Sequence, residues 1–220
     1  MRDMSEIIPS FEISLFEPTF SNAIDYIELG IDSIIDNETI KGIPIVSTVV
    51  GIGKTVYNIR ERILLKNMLT FIKEFNKGQI EQEKLEKYRK SIDEDKVKAE
   101  KELGRVLVIL DKTIDDIKTK MLANSFRAYV FEQIDWEQFC EVTEAINRLF
   151  ISDIALLYKI EGGQVTDTKH CAIYQADRLI SLGLVNNAMK SMIISNNSNS
   201  RTERYLSINE FGKMFCKVTK

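Results

Sequence analysis

Apolar residues recur at alternating spacings of three and four along most of this 220-residue chain. The most regular run consists of Ile45, Val49, Ile52, Val56, Ile59 and Ile63. Because an α-helix turns once every ~3.6 residues, this spacing places the apolar side chains on one helix face. Such a face has to be buried against a neighbour. The pattern therefore predicts a mainly α protein, built as a bundle of long antiparallel helices.

Turn and cap signals divide the pattern into helices. They predict helices over about 18–36, 45–76 and 136–160. Ser91 and Glu94 have the spacing of a capping box, which predicts a further helix start near Ile92. Thr113 with Asp116 could restart that helix, so one bent helix and two helices are both compatible with the sequence. We expect the bundle to occupy residues 1–163.

The pattern changes after Gly163 and predicts a second domain over residues 164–220. A helix closing at Gly183 is followed by a predicted strand at 190–195, a polar turn at 196–200 and a strand at 204–208. A last helix is expected after Ser207, with Glu210 completing its cap. The stretches RLISLGLV and RYLSINEFGKMF resemble the winged-helix signature. That resemblance implies a small winged-helix-like module with a β-hairpin.

Three stretches of the chain also resemble a family of uncharacterised bacterial proteins. They are IPIVSTVVGIGKTVYNIRERILLKN, KELGRVLVILDKTID and ANSFRAYVFEQIDWEQFCEV. The resemblance implies a fold and no established activity. Together with a composition rich in Lys, Ile and Asn, it leads us to expect a phage or mobile-element context.

The segment GIGKT, from Gly51 to Thr55, invites comparison with a phosphate-binding loop. Such a loop needs a first glycine where this chain has Thr48, and it needs a preceding strand. Since the helical period runs through the segment, we interpret Val49, Gly51, Ile52 and Gly53 as helix-packing residues. The apolar helix predicted over 43–66, with its basic end, leaves membrane insertion as an alternative.

Residues typical of catalytic or metal sites are few and scattered. The chain has one histidine, His170, and three cysteines, Cys140, Cys171 and Cys216, which do not form a zinc pattern. Carboxylates at helical spacing are better explained as solvated faces and caps; they are Asp111, Asp115, Asp116, Glu137, Glu141 and Glu144. We therefore predict no enzyme activity, no cofactor, no metal and no small-molecule substrate.

The charge distribution distinguishes the C-terminal module from the rest. The whole chain has a net charge of −3, whereas the module has a local basic excess. Its candidate partner-binding or nucleic-acid-binding residues are Lys169, His170, Arg178, Lys190, Arg201 and Arg204. In a winged helix the helix near Lys169–Arg178 would enter a major groove and the turn with Arg201 would contact phosphate. Winged helices also serve as protein-docking modules, and few side chains here suit base reading.

These observations favour a cytoplasmic, non-enzymatic binding or regulatory protein that acts through a protein partner. The odd number of scattered cysteines and an N-terminus without a signal-peptide core support the cytoplasmic prediction. Homo-oligomerisation through the long helices is compatible with the pattern. A DNA-binding regulator is the first alternative, and a membrane-acting effector using residues 43–66 is the second.

Overall fold

The computed structural model of the chain describes residues 4–17, 38–52, 59–78, 81–189 and 203–220. It confirms a mainly helical protein with a small antiparallel hairpin near the C-terminus. The chain forms two compact units, Met1–Cys140 (unit 1) and Glu141–Lys220 (unit 2). Unit 2 therefore begins before the predicted limit at residue 163, because the helix Ile151–Glu161 packs against the hairpin region.

Unit 1 is a helical bundle. Its helices are α1 (Met4–Phe16), α2 (Glu38–Lys41), α3 (Pro44–Ile52), α4 (Ile59–Phe75), α5 (Gln82–Glu94), α6 (Lys96–Lys112) and α7 (Asp116–Val130). The next helix, α8 (Trp136–Arg148), contains the limit between the units. Helix α4 packs chiefly on α7 and α6, and α1 packs on α3. The helix predicted over 18–36 lies outside the described residues.

An aromatic cluster fills the core of unit 1. Phe126 on α7 is fully buried, and its ring contacts those of five other residues. The ring centroids lie 5.5–6.0 Å from that of Phe126 and belong to Phe71, Phe75, Tyr88, Tyr129 and Phe139. Edge and tilted ring contacts at these distances stabilise a core beyond the area they bury. Phe126 therefore joins α4, α5, α7 and the start of α8.

The helix boundaries correct two predictions. The run predicted as one helix over 136–160 is interrupted at 149–150, since α8 ends at Arg148 and the next helix begins at Ile151. The run predicted over 45–76 is helical at Pro44–Ile52 and Ile59–Phe75, and residues 53–58 lie outside the described residues. The predicted start near Ile92 is wrong, because Ser91 lies inside α5 and its hydroxyl donates to the Tyr88 carbonyl. Asp95 caps α6 instead, by accepting a hydrogen bond from the Lys98 N–H at 3.1 Å.

The chain breaks between α6 and α7 at residues 113–115, as the alternative with two helices predicts, but Asp115 rather than Thr113 precedes α7 and forms no side-chain cap. Asp135 and Gln138 have the spacing of a further cap signal, and this one is confirmed. Asp135 and Gln138 exchange backbone–side-chain hydrogen bonds of 2.8 and 3.0 Å at the start of α8. The break also turns Ile114 away from the core. Its side chain is 81% exposed, although the apolar stripe predicted that it would be buried.

Unit 2 places a hairpin between short helices. After α9 (Ile151–Glu161) come a 3₁₀ helix (Thr168–His170), α10 (Ile173–Ser181), β1 (Val185–Met189), β2 (Arg204–Ile208) and α11 (Glu210–Thr219). Strands β1 and β2 are antiparallel, with Val185 opposite Ile208 and Met189 opposite Arg204. The strand predicted at 190–195 lies outside the described residues, and β1 is described immediately before it. This element order is that of a winged-helix-like module.

Two turns fix the hairpin to its helices. Gly183, with a φ of 69°, ends α10 as predicted, because glycine adopts this left-handed conformation without steric cost. The cap of α11 is Asn209 rather than Ser207, and its side chain accepts from the Gly212 N–H at 2.8 Å. The Asn209 amide also donates to the Gly183 carbonyl at 2.7 Å. One side chain thereby links the end of α10 to the start of α11.

Gly212 is expected to tolerate no larger residue. A Cβ at this position would lie 2.1 Å from the Leu184 carbonyl oxygen, which is backbone and cannot move aside alone. Gly212→Ala should therefore destabilise unit 2 by about 1–3 kcal/mol or more. Gly162→Ala is the matched control, since a Cβ there has contacts no closer than 3.4 Å. Amide hydrogen exchange of unit 2 peptides measures both, and equal protection in the two variants would contradict the expectation.

Candidate functional site

Arg178 on α10 forms the best-defined polar contact of unit 2. Its Nε and Nη2 donate to the two carboxylate oxygens of Asp153 at 2.8 and 2.6 Å. Asp153, on the first turn of α9, is fully buried and also accepts from the Phe150 N–H at 2.9 Å. Two parallel charge-assisted hydrogen bonds fix the guanidinium plane. The pair therefore fixes α10 against α9 and holds Arg178 in one orientation.

The environment of Asp153 favours its charged form. Burial acts to raise the pKa of this carboxyl, but the hydrogen bonds from Arg178 and from the Phe150 N–H outweigh that effect. The pKa is therefore held below its ordinary value of 3.8. The ion pair is intact at neutral pH.

Two aromatic rings surround the oriented guanidinium. The central carbon of Arg178 lies 4.9 Å from the ring centroid of Phe150 and 5.1 Å from that of Tyr174. Although they pack on Arg178, Phe150 is 62% exposed and Tyr174 is 63% exposed. Ile173, beside Tyr174 on the first turn of α10, is 43% exposed. We call Phe150, Ile173 and Tyr174 the aromatic face of unit 2.

A pocket continues the aromatic face toward the hairpin. Its volume is about 340 Å³, and its lining includes Ile173, Tyr174, Lys169 and Glu203. The apolar side chains of α10 meet one ammonium and one carboxylate there. The pocket therefore adds polar contacts of both signs to the edge of an apolar surface. This combination is typical of protein interfaces, which have an apolar centre and a polar rim.

The four predicted cationic residues that the structure describes do not form one basic surface. Arg178 is paired with Asp153, and Arg204 donates to Asp177 at 2.5 Å. His170 lies 2.9 Å from Asp167 through its Nδ1, while Lys169 is exposed beside the pocket. Lys190 and Arg201 lie outside the described residues. Both described arginines of the predicted set are thus neutralised by neighbouring carboxylates.

The described part of the segment before Gly53 is helical, whereas Gly53 to Thr55 lie outside the described residues. Thr48, Val49 and Gly51 lie within helix α3, which follows α2 rather than a strand. Val49 is buried, in agreement with a packing role, but Gly51 is exposed and no described atom lies within 4 Å of where its Cβ would be. The side chain of Ile52 and the whole of Gly53 lie outside what the structure describes. Within the described ranges, no helix is long and apolar enough to cross a membrane.

The main polar cluster of unit 1 is buried and was not predicted from the sequence. Glu102 on α6 accepts hydrogen bonds from the Tyr88 hydroxyl at 2.8 Å and from the Tyr129 hydroxyl at 2.9 Å. Burial and the nearby Glu102 charge raise the pKa of both tyrosines, so both hydroxyls stay protonated as donors. The cluster links α5, α6 and α7. Across the described part of the chain, no three His, Cys, Asp or Glu side chains converge as a metal site.

A half-buried carboxyl on α1 predicts a pH dependence in unit 1. Burial, a hydrogen bond with Asp93 and the Asp93 charge raise the pKa of Glu12 to about 7, while Arg89 acts in the opposite direction. A raised pKa means that folding favours the protonated carboxyl. Unit 1 should therefore lose stability as pH rises from about 5 to about 8, by on the order of 1 kcal/mol because solvent screens the pair.

Urea unfolding followed by the fluorescence of Trp136, the single tryptophan of the chain, measures this dependence. Glu12→Gln is the control, because it removes the ionisation while keeping a hydrogen-bonding side chain. The slope of stability against pH should flatten in the variant. A wild-type unit 1 whose stability rises over this interval would contradict the assignment.

Comparison with known proteins adds no relative. No protein-family model, no curated protein and no solved structure matches the chain. The functional argument therefore rests on the geometry of the described residues.

Sequence reasoning missed the aromatic face because Phe150 and Tyr174 fit the helical apolar stripes. Phe150 precedes α9, and only one of the adjacent Leu149 and Phe150 can face the core. Leu149 is the buried one. One sequence signal could have identified the face. Leu149 and Phe150 are consecutive large apolar residues next to a helix cap, so one of them has to be exposed. Tyr174 has no comparable signal, since its exposure depends on how α10 packs.

Proposed function

We propose that this chain is a non-enzymatic binding protein that acts through protein–protein contacts, with the aromatic face of unit 2 as its docking surface. The observation that carries the proposal is the exposure of Phe150 and Tyr174 around an arginine that is already oriented, with Ile173 exposed beside Tyr174 on α10. Isolated exposed apolar residues are common on proteins, whereas clustered ones mark interaction sites. These three lie together at the starts of α9 and α10.

The chemistry of the face suits a protein partner. Aromatic residues and arginine contribute most of the binding energy in protein interfaces. An aromatic ring has few rotatable bonds, so burying it in an interface costs little conformational entropy. Here Arg178 packs on both rings and is itself held by Asp153, which further reduces that cost. The face is therefore organised before a partner binds.

The same contacts favour protein over nucleic acid. Phosphate binding depends on cations whose charge is available to the ligand. On this module Arg178 and Arg204 are engaged by Asp153 and Asp177, and Asp177 lies half-exposed on α10. A carboxylate on the helix predicted to enter the groove would repel the DNA backbone. Binding to duplex DNA is accordingly the alternative that the experiment has to exclude.

Substitutions on the face test the proposal. Phe150→Ser with Tyr174→Ser should weaken the binding of the native partner by at least about 30-fold, since each interface hot spot contributes ~2 kcal/mol or more. Ile114→Ser on unit 1 is the matched control, because it also removes an exposed apolar side chain. Titration of the co-purifying partner by calorimetry or surface plasmon resonance gives the affinities.

Two outcomes would contradict the proposal. One is a double variant that binds the partner as tightly as the Ile114→Ser control does. The other is that nucleic acid co-purifies with the chain. In that case the affinity for short duplexes would fall as the salt concentration rises, and the double substitution would leave it unchanged. The folding of each variant is checked by circular dichroism before binding is measured.

A further inference from the structure

The outer edge of strand β1 has no strand beside it among the described residues. In this part of the chain the sheet has the order β1–β2, so β1 has a neighbour on one side only. Strand β2 is covered on its other side, where Asp167 bridges to Tyr205 and the Leu206 N–H donates to the Thr166 carbonyl at 2.9 Å. The unpaired edge of this small sheet is therefore that of β1.

The register of the hairpin shows which peptide groups of β1 point outward. In a strand the N–H and C=O of one residue point to the same side. Because Leu206 donates to Thr166, its peptide groups face away from β1. Asn187 lies opposite Leu206 and is therefore in a non-hydrogen-bonded pair. The N–H and C=O of Asn187 consequently point away from β2, toward the outer edge.

The next outward position is Met189. It lies opposite Arg204, whose N–H donates to the Thr168 hydroxyl at 3.0 Å and so also faces away from β1. By the same argument the peptide groups of Met189 face the outer edge. Asn186 and Ala188, which alternate with them, face β2. The outer edge thus presents the N–H and C=O groups of Asn187 and of Met189.

The side chains of β1 lack the features that protect edge strands. Natural edges carry lysine, proline or inward-pointing charges that prevent pairing with another chain. Strand β1 reads Val-Asn-Asn-Ala-Met, with no charge and no proline, and Asn186 to Met189 are exposed. Addition of another strand would satisfy the outer peptide groups and extend the sheet.

We infer that β1 pairs with β1 of a second copy of this chain, in an antiparallel, two-fold symmetric arrangement. In a two-fold interface each strand faces its own sequence, so any charge on β1 would be repelled by itself. An uncharged strand avoids that repulsion. The asparagine amide both donates and accepts hydrogen bonds, so it is complementary to its own copy. The resulting sheet has four strands. The inference is independent of the proposed function, since it uses no residue of the aromatic face.

The full-length chain with Asn187→Pro tests the inference. Proline removes only the Asn187 N–H, which the hairpin does not use, and an edge strand tolerates proline at such a position. Asn187→Ala is the matched control, because it keeps the N–H and removes the side chain. Sedimentation equilibrium over a range of concentrations should give a dimer for the wild type and for Asn187→Ala. It should give a monomer for Asn187→Pro, with an unchanged circular dichroism spectrum.

A second variant keeps the test decisive if the proline variant does not fold. Asn187→Lys places like charges opposite each other across the two-fold axis, so its dimer should dissociate at low salt and recover partly at high salt. A wild-type chain that is monomeric at every concentration would overturn the inference. A dimer that survives both Asn187→Pro and Asn187→Lys would also overturn it, because the interface would then lie elsewhere.

Discussion

Replacing Arg178 with alanine is expected to destabilise unit 2 by about 3–5 kcal/mol, the usual cost of leaving a buried charge without its partner. Asp153 would keep hydrogen bonds from the Phe150 N–H and the Gln175 side chain but no charged partner, in a site with no solvent exposure. Arg204→Ala is the matched control, since it breaks an ion pair whose carboxylate, Asp177, is half-exposed. That loss should be at most ~1 kcal/mol. Amide hydrogen exchange of unit 2 peptides measures both variants.

The pH dependence distinguishes an electrostatic loss from a packing loss. In the wild type the folded pKa of Asp153 is below its ordinary value of 3.8. The contribution of this carboxyl to the free energy of unfolding is therefore complete above pH 3.8 and is lost as the pH falls through the folded pKa. Without Arg178, burial would raise the pKa above 3.8. The variant should therefore gain stability, relative to the wild type, as the pH is lowered. A variant that is equally destabilised at every pH would contradict the buried-charge explanation.

Replacing Phe126 with alanine should destabilise unit 1 by about 3–5 kcal/mol. The substitution removes a fully buried ring that contacts five other rings from four helices. Phe71 and Phe75 lie on α4, Tyr88 on α5 and Phe139 on α8. These rings can close the cavity only if their helices move and lose other contacts. Urea unfolding followed by Trp136 fluorescence measures the loss, because Trp136 packs on Tyr129 and Phe139 in the same unit.

Ile114→Ala is the control for the core substitution. It also removes a large apolar side chain, but one that is 81% exposed, so its effect should stay within about 0.5 kcal/mol. If Phe126→Ala costs no more than Ile114→Ala, the aromatic cluster does not hold the helices of unit 1 together.

The helical class of the chain could be predicted from the sequence because each helix buries one stripe of apolar side chains. The spacing of such a stripe repeats within a short segment of sequence. Leu103, Leu107 and Leu110 are buried as the spacing predicts. The same rule fails at Ile114, because the helix breaks after Lys112 and the period restarts in α7. Paired cap residues predicted a helix start correctly at Asp135 and Gln138 but failed at Ser91, which lies inside α5.

The candidate site was harder to predict, since it depends on how unit 2 packs. Arg178 is predicted from the sequence as a candidate binding residue, yet its orientation depends on Asp153, which lies 25 residues earlier in the chain. A sequence shows the charge of an arginine but not whether a buried carboxylate has already neutralised it. The exposure of Phe150 and Tyr174 likewise follows from the orientation of α9 and α10 rather than from local spacing.

Site-specific photo-crosslinking tests most directly whether the aromatic face binds a protein. A benzophenone side chain is introduced by Tyr174→p-benzoylphenylalanine. The matched control is Ile114→p-benzoylphenylalanine, at a position of unit 1 that is more exposed than Tyr174. After irradiation in the native cell, we expect one partner protein to be covalently attached at position 174 and to be absent from position 114. Crosslinks to the same proteins at both positions, or to nucleic acid at position 174, would contradict the proposed docking surface.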